Sequence, residues 1–117
     1  MNMSRDLIVS LFSHIDRQEW DGLAELLSAD VAYERPGYAP FIGLDRVLTF
    51  YREERIIVSG AHELQWIVVD GDVAACAGRF RGVLKDGTAA DVRFADVYEF
   101  ENRVIKKRTS YFFSPSI

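Results

Sequence analysis

The chain is 117 residues long, enough for one domain with a core of its own. Its formal net charge of -4 removes the broadly basic footprint of a nucleic-acid binder, and no apolar run approaches the ~20 residues of a membrane span. At 49% hydrophobic it reads as a folding chain, and its single cysteine, Cys76, can make neither an internal disulfide nor a metal cage by itself.

Helical spacing comes first along the chain. Leu7, Ile8, Leu11, Phe12 and Ile15 predict a helix of about a dozen residues, with Ser4 as its cap. A second helix begins near Glu19, carries Leu23, Leu26 and Leu27 on one face, and ends at Ser28-Ala29-Asp30. Residues 31–35 alternate as a short strand. Pro36-Gly37 stops it, because proline lacks a donor and glycine permits the turn. Residues 38–43 form a loop with Tyr38 and Phe41. A third helix follows from about Leu44, with Val47, Leu48, Phe50 and Tyr51 inward, and Ser59-Gly60 ends the segment after it.

The period then changes to two. Strands are predicted over 64–69, 73–84, 88–100 and 104–113, with turns at Asp70-Gly71-Asp72 and Asp86-Gly87. Helices first and strands later predict an α+β fold in a single domain, residues 1–117: a cone-shaped curved antiparallel sheet packed on three N-terminal helices. Such a cone leaves an interior of the kind in which pockets occur.

The element order, with Trp20-Asp21-Gly22-Leu23 leading to Asp30-Val31, resembles the nuclear transport factor two-like superfamily. Its members include ketosteroid isomerases, SnoaL-like polyketide cyclases and limonene epoxide hydrolases. The helix over 43–51 and the strand Phe94-Ala95-Asp96-Val97-Tyr98-Glu99-Phe100 carry the rest of the resemblance, which spans nearly the whole chain. It implies a SnoaL-like or ketosteroid isomerase-like domain that pairs as a homodimer through the outer sheet face, where Trp66, Val68 and the last strand supply apolar area.

The resemblance places Asp96 where ketosteroid isomerases keep a protonated acid, but Arg35 stands at their base position and Leu11 at their tyrosine position. Arg79 stands at the arginine position of limonene epoxide hydrolases, with Arg81 and Ser110 where those enzymes have aspartates. The SnoaL-like cyclases, with a cavity acid near the Asp96 position, are the enzymatic relatives that remain.

Alternation puts Phe94, Asp96 and Tyr98 on one strand face. A carboxylate among aromatics is desolvated and suits proton transfer; it equally suits a buried arginine that merely fixes the interior. Tyr33 and Arg35 share a face of the first strand, Arg35 as an anion anchor or as a rim arginine. Family parity turns Arg79 toward the cavity, to meet Asp96 or an anionic substrate; simple hydrophobicity turns it outward, with Cys76, Gly78 and Phe80 buried. His62 opens a sheet strand near the expected cavity mouth and can shuttle protons, or it bonds locally; His14 faces solvent. Tyr38 lids the cone or packs onto the third helix. Lys106-Lys107-Arg108 reads as a solvated strand or turn face.

The functional expectation is an enzyme working by acid/base chemistry on a small hydrophobic, polyketide- or ketone-like molecule that can carry an anionic group. It would be an isomerase, cyclase or dehydratase with Asp96 and His62 catalytic and Tyr33, Arg35, Tyr38, Arg79, Phe94 and Tyr98 binding substrate. The alternative is a non-catalytic ligand-binding or dimerisation protein of the same fold. No phosphate-cradling loop or paired His/Cys/Asp set is present, so no cofactor and no metal are expected. Nor is a nucleic-acid or membrane partner expected. The opening residues lack a signal-peptide pattern, and a cytoplasmic location is the default.

Overall fold

The computed structural model describes residues 2–114. The elements run α1 (Met3–Arg17), α2 (Trp20–Glu25), β1 (Leu27–Glu34), β2 (Phe41–Ile42) and α3 (Leu44–Thr49). A π-helical turn (Phe50–Glu54) follows, then β3 (Ile57–Asp70), β4 (Val73–Leu84), β5 (Ala89–Glu101) and β6 (Val104–Phe112). One curved six-stranded sheet has the order β2-β1-β6-β5-β4-β3, with the N-terminal helices packed on it. All pairs are antiparallel except β1 with β6, which are parallel.

The α1 stripe Ile8, Leu11, Phe12 and Ile15 is buried, as its spacing predicts. Each such side chain contributes about 1.5–3 kcal/mol by leaving water. The cap is Asn2, not Ser4: the Asn2 side chain accepts from the Arg5 amide at 2.9 Å. Two expected breaks do not occur. Ser28 to Asp30 lie inside β1, and β3 runs straight through Ser59-Gly60. Gly60 serves a close approach instead, because a Cβ there would collide with the Phe80 ring.

Among the register shifts of the sheet, two β-bulges set which side chains near the site face the core. On β3 the pairing with β4 skips Gln65, so Leu64 and Ile67 both lean inward while Trp66 and Val68 point out. On β6 the pairing with β5 skips Lys106, which places Ile105, Arg108 and Ser110 on the buried side. A bulge adds one residue to one strand and reverses the parity beyond it. This corrects the reading of Lys106-Lys107-Arg108 as a solvated run: Lys106 is exposed, and Arg108 is buried in the core.

Among the described residues, no helix is long and apolar enough to cross a membrane.

Candidate active site

Alternation on β5 turns Phe94, Asp96, Tyr98 and Phe100 inward, and Asp96 is 0% exposed. Across the sheet Asp96 sits opposite Cys76 and Ser110, and Arg108 sits opposite Tyr98. The Tyr98 hydroxyl donates to Asp96 Oδ2 at 2.8 Å, and Arg108 Nε donates to the same oxygen at 2.9 Å. Arg108 Nη1 also donates to the Tyr51 hydroxyl at 2.7 Å. Tyr33 and Ser110 share a hydroxyl bond of 2.9 Å, and Arg35 Nη1 donates to Tyr33 at 3.2 Å. The second Asp96 oxygen, Oδ1, receives no hydrogen bond although it is buried.

These contacts fix the protonation of the neighbours. Burial, then the Asp96 charge, push the Tyr98 phenol well above its ordinary range, so it remains a donor. Burial works against the Arg108 cation, but Asp96 and the surrounding phenols hold its pKa well above normal. Burial would also raise Tyr51; Arg108, Arg35 and Arg55 outweigh it, and the phenol is more acidic than usual. Burial and the nearby Asp96 push the Cys76 thiol up to about 11, which suits a small core side chain and not a nucleophile.

His62 enters from β3. Its backbone N–H donates to Asp16 Oδ2 at 2.8 Å, and its ring Nδ1 lies 2.5 Å from Asp16 Oδ1. Asp16 belongs to the last turn of α1, four residues after the buried Phe12. The ring is packed among Phe12, Phe80 and Phe94, with centroids 4.7, 4.7 and 5.5 Å away. Burial lowers the His62 pKa, and the Asp16 hydrogen bond and charge oppose this without reversing it. The imidazole is therefore biased toward its neutral form. With Nδ1–H donated to the carboxylate, Nε2 keeps a lone pair.

His62, Asp96, Arg35, Arg55, Arg108 and Phe94 border one interior cavity of about 20 Å³. That is room for a water-sized group. Asp96 thus meets both of its sequence-based alternatives, pairing with a buried arginine and bordering a cavity. Tyr33 borders the cavity too, and Tyr98 stands behind Asp96.

Besides Tyr98, which does not itself border the cavity, two expected binding residues lie elsewhere. Arg79 is on the opposite sheet face, in a two-pronged ion pair with Asp91 at 2.6 and 2.7 Å, because the burial of Cys76, Gly78 and Phe80 fixes the parity of β4. Tyr38 packs on Phe41 and Phe50, with ring centroids 5.5 and 5.1 Å away, instead of entering the cavity. Four residues of the site were not singled out in sequence: Asp16, Tyr51, Arg55 and Arg108. Helical spacing from Phe12 reaches Asp16, and Tyr51 was already on an inward face. Among the described residues, no group of three His, Cys, Asp or Glu side chains is placed to hold a metal ion.

A family model described as the SnoaL-like domain matches residues 8–107. No curated protein matches the chain. Among solved structures, an NTF2-like protein of unknown function from Burkholderia pseudomallei is similar with a TM-score of 0.88 at 20% identity, covering 96% of this chain and 92% of its own. An LEH-like epoxide hydrolase from M. tuberculosis gives 0.80 at 18% identity, with 92% and 80% covered. TerC, co-crystallized with polyporic acid, gives 0.83 at 12% identity, with 95% and 92% covered. At these identities the likeness is one of fold.

Proposed function

Because this chain belongs to the SnoaL-like domain family, we propose that it is an enzyme that moves a proton on a small hydrophobic carbonyl compound, of polyketide or cyclic-ketone type, at the cavity between His62 and Asp96. The observation that carries this reading is the imidazole of His62, held by Asp16 at 2.5 Å and bordering the same cavity as a buried carboxylate. A neutral, oriented imidazole in an apolar wall is a competent general base near neutral pH.

In this reading His62 Nε2 takes the proton from the carbon beside the substrate carbonyl. The imidazolium returns it to another carbon, which moves a double bond, or to a departing hydroxyl, which dehydrates the substrate. Charge developing on the carbonyl oxygen is met by the Arg108–Tyr51 donor pair, fixed in place before the reaction. Asp96 Oδ1 offers an acceptor for a substrate hydroxyl and so orients the ring. The cavity as it stands admits one water-sized group, such as the carbonyl oxygen; in this reading the rest of the molecule enters by displacing the half-buried Phe112, which also borders the cavity. Solved structures of the same fold include an LEH-like epoxide hydrolase and a protein co-crystallized with polyporic acid, which supports a small organic molecule as the ligand class.

The test is hydrogen exchange. Cyclic ketones and β-diketones are incubated with the protein in D2O, and deuterium uptake beside the carbonyl is read by mass spectrometry. We expect catalysed uptake that falls about 100-fold or more in His62→Gln and also falls in Asp96→Asn. No acceleration over buffer, or an unchanged rate in His62→Gln, refutes the assignment. The Asp96–Arg108 pair supports a second reading, a non-catalytic ligand binder of the same fold, which predicts ligand retention with no exchange.

A further inference from the structure

Arg55 has no role in the chemistry above, yet it is one of the most unusual residues in the molecule. It is 8% exposed and borders the interior cavity. Arg108 has Asp96 as its ion-pair partner, but among the described residues no carboxylate lies within ion-pair distance of Arg55, and its Nε is buried without a hydrogen-bond partner. The guanidinium lies 5.5 Å from the Tyr51 ring centre and 6.0 Å from that of Phe80. Burial lowers its pKa; Tyr51, Tyr33 and the more distant Asp16 charge oppose this, and Arg35 assists it. An unpaired buried cation destabilises a fold, so a charge kept there needs a reason.

The backbone places this residue deliberately. The π-helical turn closes with the Arg55 amide donating to the Phe50 carbonyl at 2.8 Å. Tyr51 and Arg55 then face the core together while Arg52, Glu53 and Glu54 stay exposed. Glu54, the nearest carboxylate in sequence, is drawn away into a two-pronged pair with Arg46 at 2.9 Å for each contact. Inserted π turns recur at functional sites.

We propose that Arg55 is the counter-ion for an anionic oxygen group, a carboxylate or enolate, on the ligand that enters this cavity. The proposal rests on the reading of the interior as a ligand site and adds the charge of the ligand to it. The cavity has room for one water-sized group beside Arg55, such as a single ligand oxygen, and the apolar side chains of Ile57, Phe80 and Phe112 form the wall that the rest of the ligand must displace. Planar pairing of a guanidinium with a carboxylate supplies the direction of entry.

Benzoate and benzamide share a ring and differ in charge, which makes them the probe pair. Calorimetric titration of both is compared in the wild-type protein and in Arg55→Met and Arg55→Lys, with urea unfolding of each without ligand. We expect the wild type to bind benzoate about tenfold or more tighter than benzamide. Arg55→Met should lose that preference while unfolding at the same or a higher urea concentration, and Arg55→Lys should keep part of it. Equal binding of the two probes, no saturable benzoate binding to the wild type, or an intact preference in Arg55→Met overturns the proposal. So does a strongly destabilised Arg55→Met accompanied by a preference in Arg55→Lys that is no greater than that of the methionine variant. Catalysed exchange without a benzoate preference refutes the anion site alone, and the preference without exchange refutes the enzyme alone.

Discussion

Arg108 is the residue on which the interior depends. It joins the Asp96 carboxylate to the Tyr51 phenol, and its guanidinium carbon lies 4.5 Å from the centre of the Tyr33 ring. Removing one end of a buried ion pair strands the other charge, at a cost of about 3–5 kcal/mol, whereas replacing both ends by apolar groups of similar size is often nearly neutral. Arg108→Ala should therefore shift the urea midpoint strongly downward, and Asp96→Leu combined with Arg108→Met should recover most of the loss. If Arg108→Ala matches the wild type in urea, the pair is not holding the core. The sequence showed Asp96 and both of its possible fates, because one acid in an apolar alternating strand stands out. It did not show the partner, because Arg108 is the last of three consecutive basic residues and looks solvated by composition.

At the scale of elements, what hid the partner is a single inserted residue. Counting inward positions from Ile105 by twos puts Lys107 in the core and Arg108 outside; the bulge at Lys106 reverses that. The bulge at Gln65 does the same on β3, allowing both His62 and Ile67 to face inward along one strand. Parity within β4 and β5 was legible because those strands pair without a shift across their shared length. On β4 the hydrophobic pattern and the family position of Arg79 disagreed, and the pattern prevailed: Arg79 lies outside, with Asp91. Helical spacing located α1 and its buried face, and so reached Asp16 in principle. Nothing in sequence marks that Asp16 turns to β3, since that contact depends on how α1 lies across the sheet. The π turn is equally silent in sequence, and with it the inward swing of Arg55.

At the scale of the whole molecule, the outer face of the sheet carries exposed apolar side chains beside the Arg79–Asp91 ion pair. Trp66, Val68, Val97, Tyr111 and Phe113 are all exposed on it or at its end. We propose that this face carries a homodimer, since contiguous exposed apolar area marks association. Sedimentation equilibrium should give twice the chain mass for the wild type and the monomer mass for Trp66→Glu; a monomeric wild type contradicts it.

The inner face holds an imidazole and a carboxylate out of water. Burial keeps the folded-state pKa of His62 below its unfolded value of ~6.5, so as the pH falls the unfolded chain takes up that proton first. This contribution leaves stability full above ~6.5 and drains it as the pH drops below that value. The most direct measurement is a 15N NMR titration of the His62 imidazole in the folded protein. The account predicts a neutral ring at pH 7 with its proton on Nδ1 toward Asp16, titrating below ~6.5. A ring that is protonated at pH 7, or that carries its neutral-form proton on Nε2, contradicts the interior as a site of proton transfer.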